Sequence, residues 1–161
     1  MAESQLAAVL PRRWRHVQAV GAKAELIAPV LDEPDRDVLV AAAWLHDVGY
    51  APALAHTGFH PLDGARWLRS IGFDDRVTAL VAHHSCARFE AEERGLAEAL
   101  DAEFERECSA TADALWYVDM TTGPDGQTLD VLDRLAEVRT RYGPADVVTR
   151  FIIRAERELV S

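Results

Sequence analysis

The apolar residues of this chain recur with the spacing of an α-helix along almost its whole length. The clearest stripe runs from Trp14 to Leu31 at intervals of three and four residues, which is the pattern of a helix that buries one face. Two further amphipathic stretches occupy roughly residues 130–141 and 145–159. No stretch alternates apolar and polar residues as a half-buried strand would. The sequence therefore predicts an all-α fold, a helical bundle in which residues 1–161 form a single domain.

Proline and glycine residues divide the central part of the chain into shorter predicted helices. Pro34 lies near the start of a strongly apolar segment, and Gly49 follows that segment where a helix stop is expected. Pro61 suits the first turn of the next helix, which Gly72 ends. Residues 89–105 are acidic, and they predict a solvated stretch that is only partly helical.

The charge of the chain limits the partners that we expect. It carries 27 acidic and 17 basic residues, a net charge of −10. A surface of that sign repels a polyphosphate backbone and an anionic membrane, so we expect neither nucleic acid polymers nor membranes as partners. A small anionic molecule stays compatible, because a bound cation can invert the field around itself.

Other sequence features indicate a cytoplasmic protein. Cys86 and Cys108 are the only cysteines, and they do not form a disulfide framework or a C-x-x-C motif. No apolar run approaches the ~20 residues that span a bilayer. The first residues also lack the basic-then-apolar order of a signal peptide.

Histidines and aspartates interrupt several of the apolar helix faces. Of six histidines, five lie within residues 46–84. His16 lies on the first apolar stripe, the pair His46-Asp47 ends the next apolar segment, and Asp119 lies on the apolar face of a later helix. A buried carboxylate is costly unless it is paired or binds a metal. Imidazole and carboxylate together suit Fe, Mn, Co, Ni or Zn, so the pattern favours a shared divalent cation.

Taken one at a time, the same residues also have structural interpretations. A single buried histidine is commonly a hydrogen-bonded core residue. Asp47 alone is compatible with a helix cap or an arginine partner. Asp119 alone is compatible with an ion pair, for which the sequence offers Arg12, Arg13 and Arg15. The ordered set, rather than any one member, favours the metal.

The order of these residues resembles the HD-domain superfamily of metal-dependent phosphohydrolases. The family pattern is a histidine, a His-Asp doublet and a distant aspartate on a helical bundle, which here correspond to His16, His46-Asp47 and Asp119. The segment Trp44-Leu45-His46-Asp47-Val48-Gly49 is similar to the helix end that carries the doublet in the family. The resemblance covers about residues 14–126 and implies that these four side chains bind one metal.

Additional histidines resemble those of the two-metal branches of the superfamily. The resemblance implies that Asp47 bridges to a second metal, held by His60 and by His83, His84 or both. Adjacent helical residues point about 100° apart, so one helix favours only one of the two. His84 is favoured because it shares a face with Val77, Leu80 and Val81.

The resemblance implies hydrolysis by a metal-activated water, with Asp47 and His84 as catalytic residues. A histidine that is not a ligand, either His56 or one of His83 and His84, is expected to protonate the leaving group. The expected substrate is a small phosphate ester or nucleotide. No Gly-Tyr-Pro motif follows His83-His84, so cleavage of cyclic-di-GMP is not supported.

The chain departs from many relatives at the place of a lysine three residues after the doublet. Tyr50 stands there instead. We therefore expect Tyr50 and Arg88 to contact the substrate, with Arg66 as a further substitute for the lysine.

Two other functions are compatible with the same ligands. Some proteins with a similar pattern hold a mixed-valent di-iron pair and cleave carbon bonds with O₂. A non-catalytic regulatory domain that keeps its metal for structure is the other alternative. The metal count, one or two per chain, and the choice between monomer and homodimer stay open. The apolar positions of the last helix are expected to pack internally; they are Val148, Phe151, Ile152 and Leu159.

Overall fold

Ten α-helices make up the fold in the computed structural model, which describes residues 1–160. Three short 3-10 turns lie between them, at Ala28–Val30, Val48–Tyr50 and His84–Cys86. Within the described residues no strand forms, and the predicted all-α fold is confirmed. The helices are α1 Ala2–Leu6, α2 Pro11–Ile27, α3 Asp35–Leu45, α4 His60–Ser70, α5 Asp75–His83, α6 Ala87–Arg94, α7 Ala97–Glu103, α8 Ala110–Met120, α9 Val131–Tyr142 and α10 Val147–Val160.

Helix α3 lies at the centre of the main core. It packs against α2, α5 and α8, and its inward face carries small and aliphatic side chains that let these helices approach closely. The fully buried residues between them are Val17, Val20 and Ala24 of α2, Leu39, Ala42 and Ala43 of α3, Val81 of α5, and Leu115 and Val118 of α8. The C-terminal end of α3 is therefore surrounded by other helices, and His46 and Asp47 follow directly from it.

The acidic stretch at residues 89–105 is more ordered than its charge predicts. It contains most of α6 and all of α7. Ala91, Leu100 and Phe104 are buried there against Phe59 and Leu62. The apolar residues among the acidic ones are spaced so that one face of each helix is covered, and this packing outweighs the polar composition.

The last two helices fold back over the rest of the protein. Helix α10 packs against both α9 and α6. Phe151 and Ile152 of α10 are buried within the chain, together with Leu135 and Val138 of α9. Among residues 1–160 no helix combines the length and the apolar character that crossing a bilayer requires.

The turn after α3 depends on a close backbone approach at Gly49. A Cβ atom on this residue would lie 2.0 Å from the carbonyl oxygen of His60 and 2.5 Å from the amide nitrogen of Gly64. Both atoms belong to the backbone of α4 and cannot rotate away. Glycine at this position therefore lets α4 pack against the turn that carries the His-Asp doublet.

Replacing Gly49 by alanine should destabilise the protein by about 3 kcal/mol or more, because α4 must move away from the turn. Gly72→Ala is the matched control. It has a left-handed φ of 70° but nothing within 4 Å of the added methyl group, so about 1 kcal/mol is expected. Urea unfolding of both variants measures the difference. Equal losses of stability would show that the close approach at Gly49 is not a constraint.

Candidate metal centre

Six of the seven residues predicted to bind metal come together at one end of the central helices. His16 lies in α2, and Asp119 lies in the last turn of α8. The others stand at helix boundaries, directly after α3 or α5 or at the start of α4. We call this group the His/Asp cluster; its members are His16, His46, Asp47, His60, His84 and Asp119. All are buried except His60, whose side chain is 13% exposed.

Asp47 occupies the middle of the His/Asp cluster, and its two oxygens face different partners. Its Oδ2 lies 3.4 Å from Nε2 of His46 and 3.7 Å from Nε2 of His16. Its Oδ1 lies 3.3 Å from Nε2 of His60. The His60 nitrogen is in turn 3.2 Å from Nε2 of His84. Two groups of three potential ligands therefore share one carboxylate, each with its ligand atoms within 4.8 Å of one another.

Asp119 adds a second carboxylate to the group that contains His16 and His46. Its Oδ1 lies 3.1 Å from Nε2 of His16 and 3.8 Å from Nε2 of His46. Its other oxygen accepts a hydrogen bond from the hydroxyl of Ser85. Ser85 thus orients the carboxylate so that Oδ1 faces the two histidines.

The orientation of three imidazole rings is fixed by backbone carbonyls. In His16, His46 and His84 the Nδ1–H group donates to a carbonyl oxygen, so the Nε2 atom faces the His/Asp cluster and is the nitrogen left to bind a proton or a cation. The accepting carbonyls, in the same order, are those of Gly123, Ala43 and Val81, at 3.0, 2.7 and 2.7 Å. Hydrogen bonding at the remote nitrogen is the usual support for a metal-binding histidine.

Two of these Nε2 atoms point toward each other. The Nε2 atoms of His16 and His46 are 3.4 Å apart, and both Nδ1 hydrogens are used elsewhere. Such a contact is favourable only with a proton or a cation between or beside the nitrogens. The donor set of imidazole nitrogen and carboxylate oxygen fits Fe, Mn, Co, Ni or Zn. The arrangement therefore fits a divalent metal, and the shared Asp47 fits two.

Positive charge within the protein balances the buried carboxylates. Burial opposes ionisation of Asp47, but the Arg13 guanidinium, with His46, lowers the pKa of Asp47 well below its usual range. Burial would lower the pKa of His46, yet the charges of Asp47 and Asp119 raise it to about 9. Burial lowers the pKa of His60 to about 3, so His60 is neutral and able to bind a cation.

Arg13 is a site residue that the sequence analysis did not identify as a partner of Asp47. Its Nη1 donates to Oδ2 of Asp47 at 2.7 Å. Arg12 and Arg15 bind the exposed Asp125 instead. The available signal was spacing, since Arg13 precedes His16 by three residues and so lies on the same face of α2.

Tyr50 lies in the wall of the site, where the sequence analysis expected a substrate contact. Its ring stacks on the His60 imidazole with centroids 3.9 Å apart. The Arg13 guanidinium lies 4.1 Å from the centroid of the same ring. Tyr50 therefore holds both the His60 imidazole, a potential ligand, and the Arg13 guanidinium in position.

Four predicted residues lie elsewhere. Arg66 of α4 binds Glu103 and does not line the site. His83 ends α5 and donates from Nε2 to the carbonyl of Phe104 at 2.8 Å, facing away from the His/Asp cluster. The backbone then turns through left-handed φ angles of 47° at Ser85 and 60° at Cys86, and only His84 reaches the cluster.

Arg88 is also separated from the site, because it lies on the surface and binds Glu92 and Asp101. His56 is exposed in the loop before α4. The carboxylate of Asp63 accepts backbone N–H groups from that loop rather than joining the cluster. Neither Arg88 nor His56 lines the cavity beside the His/Asp cluster.

The His/Asp cluster opens into a narrow cavity of about 70 Å³, which we call the cluster cavity. Arg13, Tyr50 and His84 line one part of it, and residues from α6, α9 and α10 line the rest. A larger groove of about 690 Å³ lies between α8 and the end of α10, and it contains none of the cluster residues. The small cavity is the relevant one, because only there do the potential ligands converge.

The two adjacent histidines allow a matched test of the second metal. His84→Ala should reduce the metal content of the reconstituted protein from about two ions per chain to about one, since it removes a ligand from the group with His60. His83→Ala should leave the content unchanged. Elemental analysis of both variants, purified anaerobically, measures this. Loss of metal from His83→Ala with retention in His84→Ala would reverse the assignment.

Comparisons with known proteins agree with the arrangement of these residues. A family model described as HD domain matches residues 13–137, which include the whole His/Asp cluster. No curated protein and no solved structure gave a significant match. The family match covers most of the chain, and HD domains are commonly metal-dependent phosphohydrolases. The chain therefore belongs to the HD domain family.

Proposed function

We propose that this protein is a metal-dependent phosphohydrolase that acts on a small phosphate ester or nucleotide. The observation that carries the proposal is the position of Asp47, whose two oxygens face two separate groups of histidines. A carboxylate placed in this way would hold two cations close together. Pairs of cations about 3.5–4 Å apart are a recurrent arrangement in enzymes that hydrolyse phosphate esters.

A bound divalent metal would supply a nucleophile at neutral pH by lowering the pKa of water, and it would offset charge on the phosphate. His16, His46, Asp47 and Asp119 would hold one such ion, and Asp47, His60 and His84 would hold the other. The carbonyl hydrogen bonds at Nδ1 keep His16, His46 and His84 in the tautomer that binds a cation. These hydrogen bonds hold the three rings in orientation, and a fixed arrangement of charged and dipolar groups favours catalysis.

The positions of the other predicted residues refine the proposal. Tyr50 lines the cluster cavity and is retained as a substrate contact, whereas Arg88 is not. His56 and His83 do not line the cavity, so neither is retained as the proton donor to the leaving group. Asp47 and His84 are retained as the central catalytic residues.

The surroundings of the His/Asp cluster also favour a small anionic substrate. The net charge of −10 disfavours a nucleic acid polymer, but the cavity wall includes the guanidinium group of Arg13. The cavity is too narrow for a duplex or an extended strand to reach the metal-binding side chains. A small phosphorylated molecule would match both the positive charge at the cavity wall and the small size of the cavity.

Asp47→Ala should abolish both metal binding and phosphate ester hydrolysis, with turnover falling by roughly three orders of magnitude or more. The control is Asp125→Asn, which removes an exposed carboxylate bound by Arg12 and Arg15 and should retain its metal and most of its activity. The assay uses a panel of phosphate esters and nucleotides with Mn, Co, Fe, Ni or Zn added to metal-free protein.

Two outcomes would contradict this proposal. Full metal occupancy in Asp47→Ala would exclude a bridging role for Asp47. Iron-dependent O₂ uptake with an organic substrate, combined with no hydrolysis of any ester, would favour the oxygenase alternative.

A further inference from the structure

The cluster cavity contains a second buried guanidinium group, which comes from α9. Arg134 lines the cavity together with Arg13, although the two residues are far apart in sequence. Arg134 is only 6% exposed, unusually low for an arginine. Two cationic side chains from separate helices thus border the same small space as the potential metal ligands.

Arg134 has hydrogen-bonding capacity that its surroundings do not use. Its Nη1 donates to Glu137, one turn further along α9. Its Nε is buried and has no hydrogen-bond partner among the described residues. An unused N–H donor in a buried guanidinium is unfavourable unless a ligand accepts from it. The planar donor fork of arginine matches the oxygens of a phosphate group.

Other charged groups around the cavity already have partners. Arg141 forms an ion pair with Glu137, with Nε 3.1 Å from the carboxylate, and its guanidinium lies over the Tyr142 ring. The carboxylate of Glu90 is bound by Arg94 at 2.7 Å. Among the cavity-lining arginines, Arg134 is the one with a buried N–H group that has no hydrogen-bond partner in the described residues.

Arg13 would become available to an anionic ligand once the carboxylate of Asp47 binds divalent metal ions. In the protein alone, Arg13 supplies part of the charge that balances Asp47. Two divalent ions on that carboxylate would take over this role and would repel the guanidinium toward an anionic ligand. The Tyr50 ring, whose centroid lies 4.1 Å from the Arg13 guanidinium, would keep Arg13 at the cavity wall after this exchange.

The rest of the cavity wall is largely apolar, and it leaves little free space beside the potential metal ligands. Met120, Val138, Val148, Phe151 and Ile152 line it, with little room for a bulky group beside the phosphate. The volume of about 70 Å³ is far below the roughly 300–1,000 Å³ of pockets that hold drug-sized ligands. A nucleoside does not fit such a space, whereas a short aliphatic substituent does.

We propose that Arg134 and Arg13 bind the phosphate of a small phosphomonoester with a short, largely apolar substituent, and that nucleotides are excluded by the α9–α10 wall. This inference rests on the proposed function and narrows its substrate class. The phosphate lies between the two guanidinium groups and the metal-binding cluster, and the substituent contacts the apolar side chains of α9 and α10.

The test compares two arginines of the same helix. Arg134→Gln should weaken the binding of inorganic phosphate to the metal-reconstituted protein by roughly 10- to 100-fold, because a charge-assisted hydrogen bond is lost. Arg139→Gln is the matched control. Its Nε is also buried without a partner, but it binds Glu156 and does not line the cavity, so phosphate affinity should stay within about twofold.

Isothermal titration with phosphate and elemental analysis of the metal are the two measurements. Arg134→Lys serves if the glutamine variant does not fold; it keeps the charge, loses the donor fork and should show an intermediate loss. Equal phosphate affinity in wild type, Arg134→Gln and Arg139→Gln, with equal metal content, would overturn the proposal. If the glutamine variant is unfolded and Arg134→Lys is used in its place, a phosphate affinity equal to that of the wild type would also overturn the proposal.

The size limit is tested by competition against phosphate. Propyl phosphate should compete well, and adenosine monophosphate should compete at least tenfold less effectively. Equal competition by the nucleotide would overturn the size limit. Phosphate binding that depends on Arg134, without turnover of any ester, would contradict the proposed hydrolysis but support this binding site. Hydrolysis that is unaffected by Arg134→Gln would support the proposed hydrolysis but contradict this phosphate-binding site.

Discussion

The buried carboxylate of Asp47 is the constraint on which the rest of the structure depends. An ionised carboxylate in a protein interior is unfavourable unless opposite charges and hydrogen bonds surround it. Here those partners are His16, His46, His60 and Arg13, contributed by α2, the end of α3 and the start of α4. The helices that form the main core are therefore the same ones that bring the polar side chains together, and packing and site formation cannot be separated.

Helix ends, more than helix faces, place the potential ligands. Helix α3 stops at Leu45, so His46 and Asp47 lie on a turn where adjacent side chains can face the same space. Gly49 lets α4 approach that turn, which brings His60 to Asp47. After α5 the two left-handed residues, Ser85 and Cys86, redirect the backbone, and the Ser85 hydroxyl reaches Asp119. Local backbone geometry thus determines which of several histidines joins the cluster.

The terminal helices give the site its shape, and α9 adds a second guanidinium group, that of Arg134, beside Arg13. Without α9 and α10, the His/Asp cluster would lie at an open end of the core. With them, it faces a small cavity whose wall is apolar apart from a few charged groups. The chain as a whole is acidic, but the charge nearest the cavity includes Arg13 and Arg134. This local positive charge and the small volume are the basis for proposing a small anionic substrate for a chain whose net charge is −10.

The sequence by itself determined the helical class, most of the helix positions and the residues that interrupt apolar faces. Those features are local, because periodicity reports which side of a helix is buried. It also favoured His84 over His83, since neighbours on a helix point in different directions. Only the tertiary structure decided that Arg13 binds Asp47, that Tyr50 stacks on His60, that Arg88 lies outside the site and that Arg134 lines the cavity. Such contacts join residues far apart in the chain, and periodicity indicates that a face is covered without indicating which helix covers it.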